Sequence, residues 1–347
     1  MRLGLNLRFL GMRDDPARLP VLAREAERLG FATVWVAEAF SSDAPSVLGW
    51  LAAQTSTIGL GSAAMQVPAR SPALTAMTAA TLDTLSGGRF HLGLGVSGPQ
   101  VAEGWHGTPF GKPLARTREY VEIVRKVLRH DVPVTHDGPH YPLPLPGGPG
   151  KPLRLGLRPP RPHLPVYLAA VGPRNLELAG EVADGWLSVF PEPEFLPEQV
   201  KLLVSGGADL SSFDVVANLP VVIGDDLDAC VDRVRGYAVH YLGAMGSREQ
   251  NFYNRLAARM GFADAAAAVQ DHYLDGRLRA AAAAVPDEFL DRTSVLGPPA
   301  RAAERLRAYA DAGVTTLSAI LFARDADDAA RTLRHLADAL HAAGVGD

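Results

Sequence analysis

The 347-residue chain carries 34 lysines and arginines against 38 aspartates and glutamates, with 47% hydrophobic and 21% charged residues. That balance supports a large core and gives no general field for nucleic acid or an anionic membrane, so neither is expected as a partner. Cys230, the single cysteine, excludes an intrachain disulfide and a multi-cysteine metal site; with no signal-type segment and no apolar run near about 18 residues, the expectation is a cytoplasmic protein.

Arg2 to Leu7 reads as a strand, Pro16 opens a helix through Leu29, and Gly30 stops it. The next strand, ATVWVAE ending at Glu38, is a nearly continuous apolar run, as a parallel strand covered on both faces requires. A helix over about 45–54, the strand TIGLGSAA, the helix SPALTAMTAATLDTLS, the turn Gly87-Gly88 and the strand RFHLGLG continue the alternation. After a helix over 114–128 comes a Pro- and Gly-rich stretch, 131–165, longer than an ordinary connection and read as a surface excursion. The rhythm then resumes with LPVYLAA, the helix PRNLELAGEVA, DGWLSVF, a helix near 197–204 and FDVVANLPVVI. A helix over 225–241 leads into an Ala-rich helical insertion at about 249–290, followed by the helix PPARAAERLRAYADAG, the strand VTTLSAILF and a closing helix over 325–343.

Eight strands alternating with helices select an α/β architecture with a parallel sheet. A (β/α)8 TIM barrel, formed as one domain over 1–347 with the two insertions, fits better than an open doubly wound sheet. Gly93, Gly95 and Gly98 match GxGxxG but lack the early βαβ context and the acidic ribose ligand of a dinucleotide fold. In such a barrel, chemistry belongs at the C-terminal strand ends, which nominates Asn6, Glu38, the segment after Leu60, the stretch 95–100 and the stretch 170–174.

Four of these places carry a local mechanism. At Ala170, Val171, Gly172, Pro173 and Arg174 a strand runs through a small-residue turn into a helix, so free backbone N–H groups, the helix dipole and an arginine suit a phosphate. The alternative is a tight turn with a solvated arginine. Ser97 and Gly98 offer hydroxyl and backbone contacts at a second point of the barrel rim. Glu38, a carboxylate closing an apolar strand, requires a hydrogen-bonding partner or a cavity, and is a candidate for a cofactor or proton role as well as for a purely structural one. Trp105 and His106, in the loop EGWHGTPFG, could border a planar ligand and titrate beside it, or pack as a lid. No HExxH spacing supports a metal and no GxSxG elbow supports a serine hydrolase.

Taken together, GFATVWVAEAF, IGLGSAAMQVPARSPALTAMTAATLDTLSGGRFHLGLGVSGP, EGWHGTPFGKPLARTREYVEIVRKVL and LPVYLAAVGPRNLELAGEVADGW resemble the F420-dependent branch of luciferase-like oxidoreductases. The match runs in order across nearly the whole chain, through VVIGDDLDACVDRVR and VLGPPARAAERLRAYADAGVTTL. The resemblance implies a deazaflavin, coenzyme F420, lying across the C-terminal mouth, with FMN as the alternative cofactor. By segment matching, Ser62 and Ala63 would back its ring, Ser97, Gly98 and Gln100 would line the ring or ribityl chain, and the stretch 170–174 would hold its phosphate. It also implies a non-proline cis peptide between Gly61 and Ala64, and the family tendency is a homodimer. The sequence departs from relatives that carry a histidine directly after the acidic residue of strand two, since Ala39 and Phe40 follow Glu38. The first-strand end, Asn6-Leu7-Arg8-Phe9, has no carboxylate, so no proton donor is carried over.

Three functions follow for comparison: an F420-dependent reductase or dehydrogenase acting on a small molecule, an FMN-dependent monooxygenase, and a deazaflavin-binding protein without turnover. The first is favoured, with hydride delivered to an activated C=C or C=N bond such as a dehydroamino-acid unit; oxidation of an alcohol by the same carrier stays open. Deazaflavin chemistry is two-electron hydride transfer, for which the protein supplies alignment and a proton.

Overall fold

The computed structural model describes residues 1–12 and 14–346. Among the described residues ten strands form one parallel sheet: β1 (Arg2–Asn6), β2 (Thr33–Val36), β3 (Gly59–Ser62), β4 (Met65–Gln66), β5 (Phe90–Gly95), β6 (Val166–Ala169), β7 (Gly185–Val189), β8 (Asp214–Ile223), β9 (Val295–Gly297) and β10 (Thr316–Leu321). The order β10-β1-β2-β3-β5-β6-β7-β8, with β8 pairing back to β10, closes the sheet into the expected eight-stranded barrel. β4 and β9 are short additions on β5 and β8 at the C-terminal rim.

Local chemistry sets the helix starts. The side chains of Asp43, Ser71, Asp226 and Asp325 each accept a backbone N–H of the helix they open, which satisfies donors that a first turn leaves unpaired. The outer helices bury one face against the strands, and that layer and the strands share one large apolar core. Inside the barrel, Trp35, Tyr167, Leu187 and Val216 form a separate packed layer.

The structure corrects the expected outline in three places. The helix Leu227–Val239 does not join the outer ring. It packs with the insertion helices Phe252–Ala257, Ala263–Leu274, Leu278–Ala283 and Asp287–Arg292 around a second core containing Val234, Ala238, Met260, Val269 and Phe289. The insertion therefore begins just after β8, earlier than expected, and occupies a strand-to-helix connection at the C-terminal rim. The segment expected to run as a plain loop through Trp105 contains a short helix, Pro99–Gly104. Strand three ends at Ser62 instead of Ala64, and the bulge that follows contains a cis Ala63–Ala64 peptide, within the span anticipated from the resemblance.

The excursion over 131–165 has no helix or strand beyond a bridge between His136 and Leu143. It lies in a helix-to-strand connection and so runs at the N-terminal end, the stability face of such a barrel. Glu119, accepting from the backbone of His140 and Tyr141, and Asp83, paired with Arg161, pin it there. No helix among the described residues is long and apolar enough to cross a membrane.

Candidate active site at the C-terminal mouth of the barrel

A cavity of about 1250 Å³ opens at the C-terminal strand ends, under the insertion. Its floor is built from small residues. Ala63, Ala64 and Ala169 pack on the Trp35–Tyr167–Leu187–Val216 layer, and a Cβ placed on Gly95 would lie in ordinary contact with the methyls of Ala64 and Ala169. The result is a low apolar surface on which a flat ring could lie. Ser62 is beneath it. The serine is fully buried, its Oγ accepts from Gly93 N at 2.9 Å and donates to Gly93 O at 2.8 Å. Gly93 permits that approach, because any Cβ there would stand 1.8 Å from the Ser62 carbonyl oxygen.

A buried polar relay closes the floor on the other side. Asn218 Nδ2 donates to Ser188 O, Asn6 Nδ2 donates to Asn218 Oδ1, and Arg8 N donates to Asn6 Oδ1, at 3.0, 3.0 and 2.8 Å. Each amide is thus held in one orientation by its partners. Arg8, Ser97 and Phe190, which follow β1, β5 and β7, all hold left-handed backbone, a conformation uncommon outside glycine and often met at functional rims.

Glu38 lines the cavity but is committed. Its carboxylate takes both Arg70 nitrogens at 2.6 and 2.8 Å and the backbone N–H of Gln66 at 3.0 Å and of Ala44 at 3.3 Å. These bonds tie strand two to the β4 bulge and to the following helix.

Gly172 is the N-cap of the helix Pro173–Val182, and it lines the cavity with Ala170, Val171, Pro173 and Arg174. Arg174 is exposed. Arg259, from the insertion, reaches the same place and donates to Val171 O at 3.0 Å; burial lowers its pKa from the usual arginine value. Arg174 and Arg259 thus both line the cavity beside a helix N-terminus.

The opposite wall is aromatic. Tyr237 and Tyr241, one helical turn apart, have ring centroids 4.7 Å apart, and Tyr253 meets Tyr241 edge-on at 4.8 Å. Burial raises the phenol pKa of all three, while burial and then Arg8 lower that of His240. The phenols hold their protons and the imidazole is neutral near pH 7.

Of the residues named from sequence, Asn6, Glu38, Ala63, Ser97 and the stretch 170–174 line this cavity. Ser62 underlies it. Gly98 caps the helix Pro99–Gly104, Gln100 is exposed, Trp105 is 66% exposed, and none of these lines the cavity. His106 also lies outside the lining, half-buried, with an Nε2 that has no hydrogen-bond partner. Sequence reading missed Arg8, Asn218, Arg259 and the tyrosines. Three of these residues had a signal: Asn218 is a lone amide in the apolar run FDVVANLPVVI, and Tyr237 and Tyr241 are spaced to share a helix face.

The sequence matches the luciferase-like monooxygenase family over residues 5–316. A Mycobacterium tuberculosis protein whose name assigns it, provisionally, as a coenzyme F420-dependent oxidoreductase is 42% identical over 91% of this chain and 94% of its own length. A 5,10-methylenetetrahydromethanopterin reductase of Archaeoglobus fulgidus is 32% identical over 85% of this chain and 86% of its own. Among solved structures, a coenzyme F420-dependent tetrahydromethanopterin reductase from Methanopyrus kandleri superposes with a TM-score of 0.81, covering 96% of this chain and 97% of that one at 24% identity, a likeness of fold. This chain belongs to the luciferase-like monooxygenase family.

Proposed function

We propose that this chain is an F420-dependent oxidoreductase, acting as an F420H2-dependent reductase on an activated C=C or C=N bond of a small molecule, and that it works as a homodimer. The observation that carries the reading is the joining, in one cavity, of a flat small-residue floor to a helix N-terminus flanked by Arg174 and Arg259. That pairing suits a long cofactor with a planar ring and a phosphate, and the coenzyme F420 in the name of the Mycobacterium relative agrees with a deazaflavin. When bound, F420 supplies two-electron hydride chemistry.

The chain's own residues do the rest. Gly172, Arg174 and Arg259 hold the phosphate, while Ala63, Ala64, Gly95 and Ala169 carry the ring face. The apolar floor and the insertion exclude bulk water from the reacting centre. Glu38, its carboxylate taken by Arg70 and two backbone N–H groups, fixes the bulge under the ring. The phenols of Tyr237, Tyr241 and Tyr253 are proton-bearing groups that line the cavity.

Fluorescence titration tests this directly. F420 is expected to bind more tightly than FMN. Arg174→Ala and Arg259→Ala should each weaken F420 by up to about tenfold, since both arginines are exposed and partly screened by solvent. A deazaflavin lacking the phosphate should bind both variants as it binds the parent. Tighter binding of FMN than of F420 would overturn the cofactor, and equal losses for both deazaflavins would remove the arginines from the phosphate site.

A further inference from the structure

Arg8 lies on the side of the mouth that this cofactor placement leaves unused. In the ring β1, β2, β3, β5, β6, β7, β8, β10, the strand β1 stands across from β6, whose end leads into Gly172 and Arg174. Arg8 lines the cavity directly after β1. Its guanidinium carbon sits 6.0 Å from the Phe9 ring centroid and 5.8 Å from that of Phe322.

Among the described residues no carboxylate pairs with it. Glu38 is taken by Arg70, and Asp328, the acid nearest the other cavity arginine of this wall, is taken by Arg233 and Arg331. The polar groups on which the Arg8 charge acts are His240, Tyr237 and Tyr241, all neutral. Arg8 is itself exposed at the mouth, so an anion entering the cavity would meet an unpaired guanidinium bordered by aromatic rings.

The backbone strengthens the point. Arg8 has φ 61°, where a non-glycine residue is disfavoured. It is kept there from both sides, its N–H donating to Asn6 Oδ1 at 2.8 Å and its carbonyl accepting from Ala37 N at 2.9 Å. Asn6 is fixed in turn by Asn218. A glycine would take the same turn without strain, and this position carries an arginine instead.

We propose that Arg8 receives a carboxylate of the substrate, so that the molecule reduced is a carboxylic acid whose apolar body lies against Phe9, Phe322 and the tyrosines. The proposal rests on the reductase reading for the word substrate, while the anion site itself stands on the geometry.

Calorimetry separates the two. Cinnamate and its neutral amide, cinnamamide, share a shape and differ in charge, and each is titrated into the F420-loaded protein. Cinnamate is expected to bind the parent about tenfold or more tightly than cinnamamide, and Arg8→Gln should abolish that preference. Arg8→Lys should keep part of it, since an ammonium retains charge without the planar fork. F420 affinity should be unchanged in Arg8→Gln, which also reports that the variant is folded. Equal binding of acid and amide by the parent, undetectable binding of cinnamate, or a preference that survives Arg8→Gln would each overturn the proposal. A loss of F420 affinity matching the loss of cinnamate would instead assign Arg8 to the cofactor. Failure of the reductase reading is read separately, as absence of F420 binding to the parent.

Discussion

At the scale of single residues, the site turns on a distinction between charges that are spent and charges that are free. Glu38 and Arg70 have side chains only 6% and 13% exposed and form a bidentate pair, and Arg70 also reaches Asp43. Burial works against the Arg70 charge, yet the two carboxylates overcome it and raise its pKa. Removing one member strands the other, so Arg70→Ala should destabilise the fold by about 3–5 kcal/mol. Glu38→Gln should cost less, because its amide oxygen can still accept from Gln66 N or Arg70. Urea denaturation measures both, and activity of Glu38→Gln gives the second readout. If that variant keeps its stability and loses all turnover, Glu38 is the proton donor and the structural assignment fails. Sequence alone showed that Glu38 needed a partner. It did not show which, since Arg70 lies on the far side of a bulge and two strands had to be placed first.

Whole elements were more legible than side-chain partners, for a physical reason. Strands covered on both faces must be apolar throughout, so ATVWVAE and LPVYLAA announced themselves, as did helices opened by Pro or a capping Ser or Asp. Less visible were elements defined by long-range packing. β9 has three residues and exists through its pairing with β8. The helix Leu227–Val239 has an ordinary amphipathic pattern, and nothing in that pattern distinguishes packing on the barrel from packing on the insertion. The interior layer beneath the cavity floor was equally hidden. There His91 Nδ1 lies 3.3 Å from Tyr167 Oη, which donates to Asp214 Oδ2, and Trp35 packs edge-on against Tyr167. Burial, and then Arg161, push the His91 pKa down to about 4. The folded state thus binds a proton less readily than the unfolded chain, whose histidine titrates near 6.5. Stability from this group is complete above that value and is lost as pH falls toward about 4, by at most about 3 kcal/mol. Thermal melts across this window should show His91→Gln less acid-sensitive than the parent. An identical pH slope for both proteins would show that another group governs the loss.

For the molecule as a whole, the outer surface bears on how copies associate. The helix Pro72–Leu85 buries one face against the barrel and leaves Leu74, Met77 and Leu85 between 47% and 63% exposed, spaced so that they fall on one outward stripe. Trp50, on the neighbouring helix Ala44–Ala52, is 40% exposed, and Val21, on the helix Arg18–Arg28, is 52% exposed. Single exposed apolar residues are ordinary, whereas several on adjacent helices form the kind of patch that marks an interface. The stripe lies on the outside of the barrel, so a second copy packed there would leave the cavity open to its ligands. A stable homodimer needs about 800 Å² from each partner, within reach of three neighbouring helices. A glutamate in the centre of such a patch would be buried twice in a two-fold interface, each copy facing its symmetry mate. Met77→Glu should therefore convert the proposed dimer to a folded monomer in sedimentation velocity, with its melting temperature now independent of protein concentration. Arg248→Glu, an exposed change on the insertion, should leave the dimer intact. If the parent sediments as a monomer, or Met77→Glu remains dimeric, the stripe is not the interface.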